Sequence, residues 1–238
     1  MFIGAAVMFH HLAVGIPRVS SSQCFSNGDQ HLLTASADRF SSLHPGKASF
    51  LETYVGVATL VLIRALQTSH AQDSPESSTN SAFADQWRGA SKTLQEVFNV
   101  IVRDSKQENT LDDGDCEVLY GRAGFLYAIL RLRSALASET GSASDIASTI
   151  SNLVSDSNIK QLVDTIILRG KRGAELHSAG VSDRDIPALM WSWHGKRYLG
   201  GAHGIGESLD LSVPENSSRS FRVRFGSWDP PCLAPLSL

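Results

Sequence analysis

Two kinds of helical segment alternate along this chain, and their alternation limits the possible folds more than any other feature. Residues 4–14, 56–66 and 121–136 each begin with a glycine and are apolar on almost every side. Residues 85–103 and 158–169 carry apolar side chains on one face only. A helix that is apolar all round is buried, whereas an amphipathic helix lies between core and solvent. The alternation therefore predicts helical-hairpin repeats with an inner and an outer layer of helices.

The apolar side chains of the amphipathic segments recur at the spacing of an α-helix. They are Trp87, Ala90, Leu94, Val97, Phe98 and Ile101 in the first, and Ile159, Leu162, Val163, Ile166 and Ile167 in the second. A further helix is predicted at 146–155, and the Ser-rich segments 67–81 and 137–145 are predicted to be linkers. Because no segment shows sustained alternation of apolar and polar residues, the predicted fold class is all-α.

Charge and hydrophobicity argue against two classes of partner. The net charge is −3, and the densest basic patches, at 169–172 and 196–197, are short. We therefore expect a solvated surface at both patches and no nucleic-acid partner. The apolar N-terminal segment 1–17 is shorter than the roughly 20 apolar residues that cross a bilayer, and no other stretch is longer. We expect no transmembrane segment.

The three cysteines, Cys24, Cys116 and Cys232, are far apart in the sequence. Their odd number and the absence of a Cys-x-x-Cys pair argue against a disulfide framework and favour a reducing compartment. We therefore expect a cytoplasmic protein. No histidine pair accompanies the cysteines at metal-ligand spacing, so the sequence predicts no metal site.

One histidine lies inside the glycine-rich stretch RYLGGAHGIGE, residues 197–207. Glycine in a helix costs about 1 kcal/mol relative to alanine, so four glycines around His203 indicate that the backbone needs room beside the imidazole. At Gly4 and Gly56 the glycines are expected to serve close helix packing. At Gly204, backbone amides at a helix N-terminus are also available to an anion or an enolate oxygen.

Two longer motifs include these glycines. EVLYGRAGFLYAIL (117–130) and WSWHGKRYLGGAHGI (191–205) closely resemble the lanthionine synthetase C-like family in its eukaryotic branch. SFLETYVGVATL (49–60) resembles the preceding repeat more loosely, and FIGAAVMFHHL (2–12) matches the tail of a first repeat. The resemblance covers about residues 1–205. It implies an α/α toroid built from helical hairpins, with glycine-rich loops at one end.

The resemblance also implies a chemistry. Bacterial members join a cysteine thiolate to a dehydrated Ser or Thr, and a zinc ion held by two cysteines and a histidine activates the thiol. Eukaryotic members are associated with glutathione, and some with the plasma membrane as peripheral proteins. His203 matches the histidine of the family's Ala-His-Gly motif, which assists proton transfer, and histidine suits that role because it titrates near neutral pH.

By the same resemblance, His203 is the predicted catalytic residue. From residue chemistry alone, Gly204, Lys196 and Arg197 are the candidates to contact an anionic substrate, and a solvated loop is the alternative for the two cations. The predicted partners are glutathione or a thiol-containing peptide. The glycines expected to be structural are Gly56, Gly121, Gly124 and Gly201.

The sequence departs from the family pattern after Ile205. A glycine is expected where Glu207 stands, and residues 208–238 hold four of the eight prolines with no helical period. We therefore predict a partial toroid over 1–207, about four repeats with the first and last clipped, followed by a non-homologous, disordered tail. The family's zinc ligands lie in Cys-His-Gly motifs, of which this chain has none, so no zinc or other cofactor is expected. Neither Cys116 nor Cys232 is followed by a histidine.

Three functional interpretations remain open from the sequence. The first is a family member that handles glutathione or another thiol without the zinc site. The second is a non-catalytic binding or adaptor fragment, or the product of an incorrect gene model. The third is a toroidal glycosidase, which needs two carboxylates across a sugar bond. Glu117 and Glu207 are the acids nearest to glycine-led helix starts, and nothing in their context supports that role.

Overall fold

A computed structural model describes residues 21–36, 48–50, 53–68, 78–105, 116, 121–138, 144–178, 188–193 and 196–197. Within these ranges the chain forms six helices and one short hairpin. The helices are α1 (Ser21–Ser36), α2 (Tyr54–Thr68), α3 (Ser78–Asp104), α4 (Arg122–Ser138), α5 (Asp145–Leu153) and α6 (Asp156–Ser178), and the strands are β1 (Ser192–Trp193) and β2 (Lys196–Arg197). The predicted all-α fold class is confirmed. The predicted helix at 4–14 and the predicted tail at 208–238 lie outside the described residues.

The inner helix α2 and the first half of α4 are buried on nearly all sides, as their sequences predict. The second half of α4 is amphipathic, with exposed residues at Arg131, Ser134, Ala137 and Ser138. In α2 the one exposed residue is Gln67, and the described residues from Gly121 to Ile129 are buried except for the half-buried Tyr127. The two helices pack against each other. Gly56 and Gly124 are both buried, and each is the third residue of its helix. The glycines therefore occupy equivalent positions in two successive inner helices.

The outer helices α3 and α6 each have one apolar face towards the core. The buried face of α3 contains Phe83, Ala90, Leu94, Val97, Phe98 and Ile101, and that of α6 contains Ile159, Leu162, Val163 and Ile166. Helix α3 packs on α2, and α6 packs on both α4 and α3. This contact pattern confirms the predicted division into two layers.

Helix α1 was not predicted, because its sequence is rich in Ser, Asn and Gly residues that favour caps and turns over helix interiors. It packs against α2, and its Leu32 is 1% exposed. Arg64 of α2 donates two hydrogen bonds of 2.7 Å to Asp29, from Nε to Oδ1 and from NH2 to Oδ2. These tertiary contacts stabilise a helix whose local sequence favours it weakly.

Helices α5 and α6 are joined by a tight connection. Ser144 caps α5, because its hydroxyl accepts a hydrogen bond from the Ala147 amide at 3.3 Å. Asn158 Nδ2 donates to the carbonyls of Asn152 and Leu153 at the end of α5, at 2.9 and 3.2 Å. The prediction of 146–155 and 158–169 as two separate helices is therefore correct, although α6 continues to Ser178.

Two predicted linkers are shorter than expected. Helix α2 ends at Thr68 and α3 begins at Ser78, so helix occupies both ends of the predicted linker 67–81. Helix α4 ends at Ser138, and α5 begins at Asp145.

No helix within the described ranges is long and apolar enough to span a membrane.

Candidate functional site

The described part of the candidate site is the hairpin formed by β1 and β2. The strands are antiparallel, with Ser192 opposite Arg197 and Trp193 opposite Lys196. Each strand has two residues, and an isolated two-stranded hairpin is at best marginally stable in water. Contacts outside the hairpin must therefore hold it in place.

Met190 and Trp191, directly before β1, supply such contacts with α6. The Met190 amide donates a 2.8 Å hydrogen bond to the Gly170 carbonyl, and Trp191 Nε1 donates a 3.0 Å bond to the Ile166 carbonyl. Ile166 and Gly170 are four residues apart, so their carbonyls lie one above the other on the same face of the helix. We call the contact of Met190 and Trp191 with Ile166 and Gly170 the hairpin anchor.

A side chain at Gly170 would not fit beside the Trp191 ring. A Cβ atom built there would lie 2.5 Å from Cζ2 and 2.7 Å from Cε2 of Trp191. The indole ring is rigid, half-buried, packed against the hydrophobic core and held by its N–H bond to Ile166. The absence of a side chain at Gly170 therefore lets the ring lie directly on the helix.

Lys196 is exposed on β2. Because its side chain is exposed, solvent and dissolved anions can reach its ammonium group. Arg197 lies beside it in the strand, opposite Ser192. The hairpin therefore presents at least one exposed cation a few residues before the glycine-rich stretch of the sequence.

The start of α4 contains the other described glycines. The Gly121 carbonyl accepts hydrogen bonds from the amides of Gly124 and Phe125, at 3.0 and 3.3 Å. Gly121 therefore closes the first turn of α4, while Gly124 lies buried within that turn. Because any residue type offers the same backbone carbonyl, the structural role predicted for both glycines stays a prediction.

Two arginines are buried, and one of them departs from the sequence prediction. Arg169 is 2% exposed, and Arg122 at the start of α4 is 7% exposed. The prediction of a solvated surface for the patch 169–172 is wrong at Arg169, because this residue lies on the inward face of α6 three residues after Ile166. Lys171 and Arg172 are exposed as predicted. The spacing of Arg169 on the apolar face, three residues after Ile166, is the sequence signal that could have predicted its burial.

A zinc centre of the kind that the resemblance implies needs two cysteines and a histidine. Among the residues that the structure describes, no three His, Cys, Asp or Glu side chains come close enough together to hold a metal ion. Cys116 is buried, at 6% exposure. The side chains of Cys24, Cys232 and His203 lie outside the described residues, so the absence of a zinc site stays a prediction.

The remaining predicted site residues, Gly201, His203 and Gly204, lie outside the described ranges. The two acids weighed for glycosidase chemistry, Glu117 and Glu207, lie outside them as well. Of the residues predicted to contact substrate, the structure describes Lys196 and Arg197. Both lie on the hairpin, which the anchor holds against α6.

A comparison with protein families assigns the chain. The family model described as lanthionine synthetase C-like protein matches residues 81–207. The chain belongs to the lanthionine synthetase C-like family. No solved structure matches it.

Family membership and the described architecture agree. Lanthionine synthetase C-like proteins are α/α toroids, and the matched range begins in α3 and continues through α4, α5, α6 and the hairpin. It also contains the sequence motifs at 117–130 and 191–205. The buried α4 and the amphipathic α3 and α6 thus correspond to inner and outer helices of the toroid.

Proposed function

We propose that this lanthionine synthetase C-like protein binds an anionic thiol, with glutathione as the first candidate, at the segment that runs from Lys196 to Gly204. The observation that carries the proposal is the exposed Lys196 on an anchored hairpin within the matched range, seven residues before His203. Glutathione carries two carboxylates and a thiol, so a cation and a neutral imidazole complement its two kinds of group.

Each residue has a defined role in this proposal. Lys196 and Arg197 attract the carboxylates of the ligand. Gly204 offers its backbone amide to an anionic oxygen of the ligand. His203 accepts the proton of the thiol, which leaves a thiolate, the reactive form of the group.

We propose binding rather than zinc-dependent thioether formation as the activity of this chain. The sequence contains three cysteines, and none of them is followed by histidine. The metal chemistry of the family needs a Cys-His-Gly motif, and residues 1–238 contain none. No step of the proposed binding passes through a metal ion.

Calorimetric titration of the full chain with reduced glutathione tests the proposal. We expect saturable binding that His203→Ala and Lys196→Ala each weaken, because they remove the imidazole and one cation. Lys92→Ala is the matched control, since Lys92 is an exposed lysine of α3. S-methyl glutathione lacks the thiol proton. It should bind the wild type more weakly than reduced glutathione does, whereas the His203→Ala variant should bind the two compounds equally.

Two results would contradict the proposal. The first is a titration without binding of glutathione by the folded chain. The second is stoichiometric zinc in the purified protein together with zinc-dependent thiol addition, which would assign the catalytic activity of the family to this chain.

A further inference from the structure

The hairpin anchor suggests how the proposed binding segment is held. The hairpin is too short to be stable alone, and its first strand follows Trp191 without an intervening residue. Met190 and Ser192, on either side of Trp191, are 6% and 9% exposed. The chain is therefore held against α6 at Met190 and Trp191, directly before β1, and the exposed Lys196 pairs with Trp193 on the other strand.

We infer that Trp191 is a positioning residue for the proposed anion site: lying on Gly170, it holds the β1–β2 hairpin against α6 and so keeps Lys196 in place. The functional half of this inference rests on the proposed function of Lys196. The structural half, that Trp191 and Gly170 hold the hairpin, stands on the contacts alone.

Three features make Trp191 specific for this role. Its Nε1–H bond to Ile166 fixes the orientation of the ring, because indole has a single donor. The contact with Gly170 leaves no room for a Cβ atom, so the ring has one closely fitted position. The neighbouring bond from Met190 to Gly170 attaches the backbone at the same place. The ring and the backbone are thus fixed together at the point where the hairpin starts.

The positioning effect is indirect. Trp193, opposite Lys196, follows Trp191 by two residues in an extended strand. Rotation or departure of the Trp191 ring moves the start of β1, and the pairing of Trp193 with Lys196 transmits that movement to β2. Loss of the anchor should therefore lower the affinity for an anion even though Lys196 itself is intact.

Hydrogen exchange tests the structural half without any ligand. In the full chain we expect Trp191→Ala and Gly170→Ala each to speed amide exchange of residues 192–197 at least tenfold, while the amides of α2 remain unchanged. Leu168→Ala is the control, because Leu168 is an exposed residue of the same helix at 45% exposure. Unchanged exchange of 192–197 in both anchor variants would overturn the inference.

A conservative variant keeps the test valid if Trp191→Ala fails to fold. Trp191→Phe retains an aromatic ring over Gly170 and loses the N–H donor to Ile166. We expect an intermediate increase in exchange for this variant. Exchange equal to that of the wild type would show that the hydrogen bond does not hold the hairpin.

Affinity for glutathione tests the functional half through non-additivity. We expect Trp191→Ala and Lys196→Ala each to weaken binding about threefold, and the double variant to bind no more weakly than Lys196→Ala alone. Additive losses, about ninefold in the double variant, would mean that Trp191 does not act through Lys196.

The two halves fail separately. If the wild type binds no glutathione, the proposed function and the positioning of Lys196 for it are both wrong. Accelerated exchange of residues 192–197 in the two anchor variants would still establish that Trp191 and Gly170 hold the hairpin.

Discussion

Arg64 and Asp29 form a two-pronged ion pair that joins α2 to the preceding helix α1. Both hydrogen bonds measure 2.7 Å, and the side chains are 15% and 8% exposed. Arg64 NH1 also donates a 2.9 Å bond to Gln67 of its own helix. The parallel geometry matches the planar guanidinium to the carboxylate, which makes this pair stronger than an exposed one. Since α1 has weak local helix propensity, the pair contributes directly to its placement.

Removing one partner of this pair should destabilise the fold. We expect Asp29→Ala to lower the free energy of unfolding by about 3 kcal/mol, because Arg64 is left largely buried without its carboxylate. Chemical denaturation measures the change. The double variant Asp29→Leu with Arg64→Met should lose less than Asp29→Ala, since it leaves no buried charge. A loss as small as that of Lys92→Ala, whose pair with Glu96 is exposed at 3.9 Å, would contradict the prediction.

The effect of Gly170→Ala on the free energy of unfolding should change sign when the Trp191 ring is removed. In the wild type we expect Gly170→Ala to lower the free energy of unfolding by about 1–3 kcal/mol, because the new methyl group overlaps the Trp191 ring. In a Trp191→Ala background the same change should raise stability by about 0.5–1 kcal/mol, since alanine is the better helix former. Thermal or chemical denaturation of the four proteins measures the cycle. Equal effects in both backgrounds would exclude contact between the two residues.

Loss of the Ser144 cap should weaken the start of α5. The Ser144 hydroxyl accepts the Ala147 amide, and removing it leaves one amide of the first turn without that acceptor. We expect Ser144→Ala to cost about 1 kcal/mol in denaturation experiments. Ser148→Ala, at an exposed position of the same helix, is the control and should change stability by less than about 0.5 kcal/mol. Equal costs at the two positions would argue against the cap.

Truncation of a fully buried side chain on an inner helix should lower the free energy of unfolding substantially. Leu62 of α2 and Phe125 of α4 are both 0% exposed and belong to one core. We expect Leu62→Ala to cost about 2–5 kcal/mol and Phe125→Ala about 3–5 kcal/mol, from lost burial plus the cavity that remains. Leu168→Ala, at an exposed outer position, should cost less than either by at least about 2 kcal/mol. A comparable cost at all three would contradict the division into inner and outer layers.

Salt should weaken the proposed binding of glutathione through Lys196. Because Lys196 is exposed, dissolved ions screen its attraction for a carboxylate, and the Debye length falls from about 10 Å at 0.1 M salt to about 3 Å at 1 M. We expect the wild type to lose affinity between these concentrations more steeply than Lys196→Ala. Calorimetric titration at the two concentrations measures both slopes. Equal salt dependence in the wild type and in Lys196→Ala would show that Lys196 does not contact the ligand.

The residue pattern was sufficient for most of the helical layers. Buried and amphipathic helices differ in how many of their sides are apolar, so α2, α3, α4 and α6 were each predicted with the correct type. The equivalent places of Gly56 and Gly124 were also visible, because both precede long apolar runs. At the candidate site, the structure places Lys196 and Arg197 on one strand, and their role in binding stays a prediction.

Other features depended on partners that are distant in sequence. The C-terminal part of α6 contains Gly170 and Gly173, which locally favour an end to the helix, and the anchor residues Met190 and Trp191 bond to its carbonyls from about twenty residues away. The short hairpin has too few residues to produce an alternating pattern. No local pattern could predict these elements.

The sequence by itself determined the fold class, the family and the two helical layers, because those depend on periodic hydrophobicity and on motifs that are local in the chain. The tertiary structure alone decided the helicity of α1, the length of α6, the burial of Arg169 and the close contact of Trp191 with Gly170. The placement of α1 and the contact at Gly170 depend on side chains of other elements, Arg64 and Trp191. A local pattern records how much apolar surface a helix presents, whereas only the folded chain determines which group covers it.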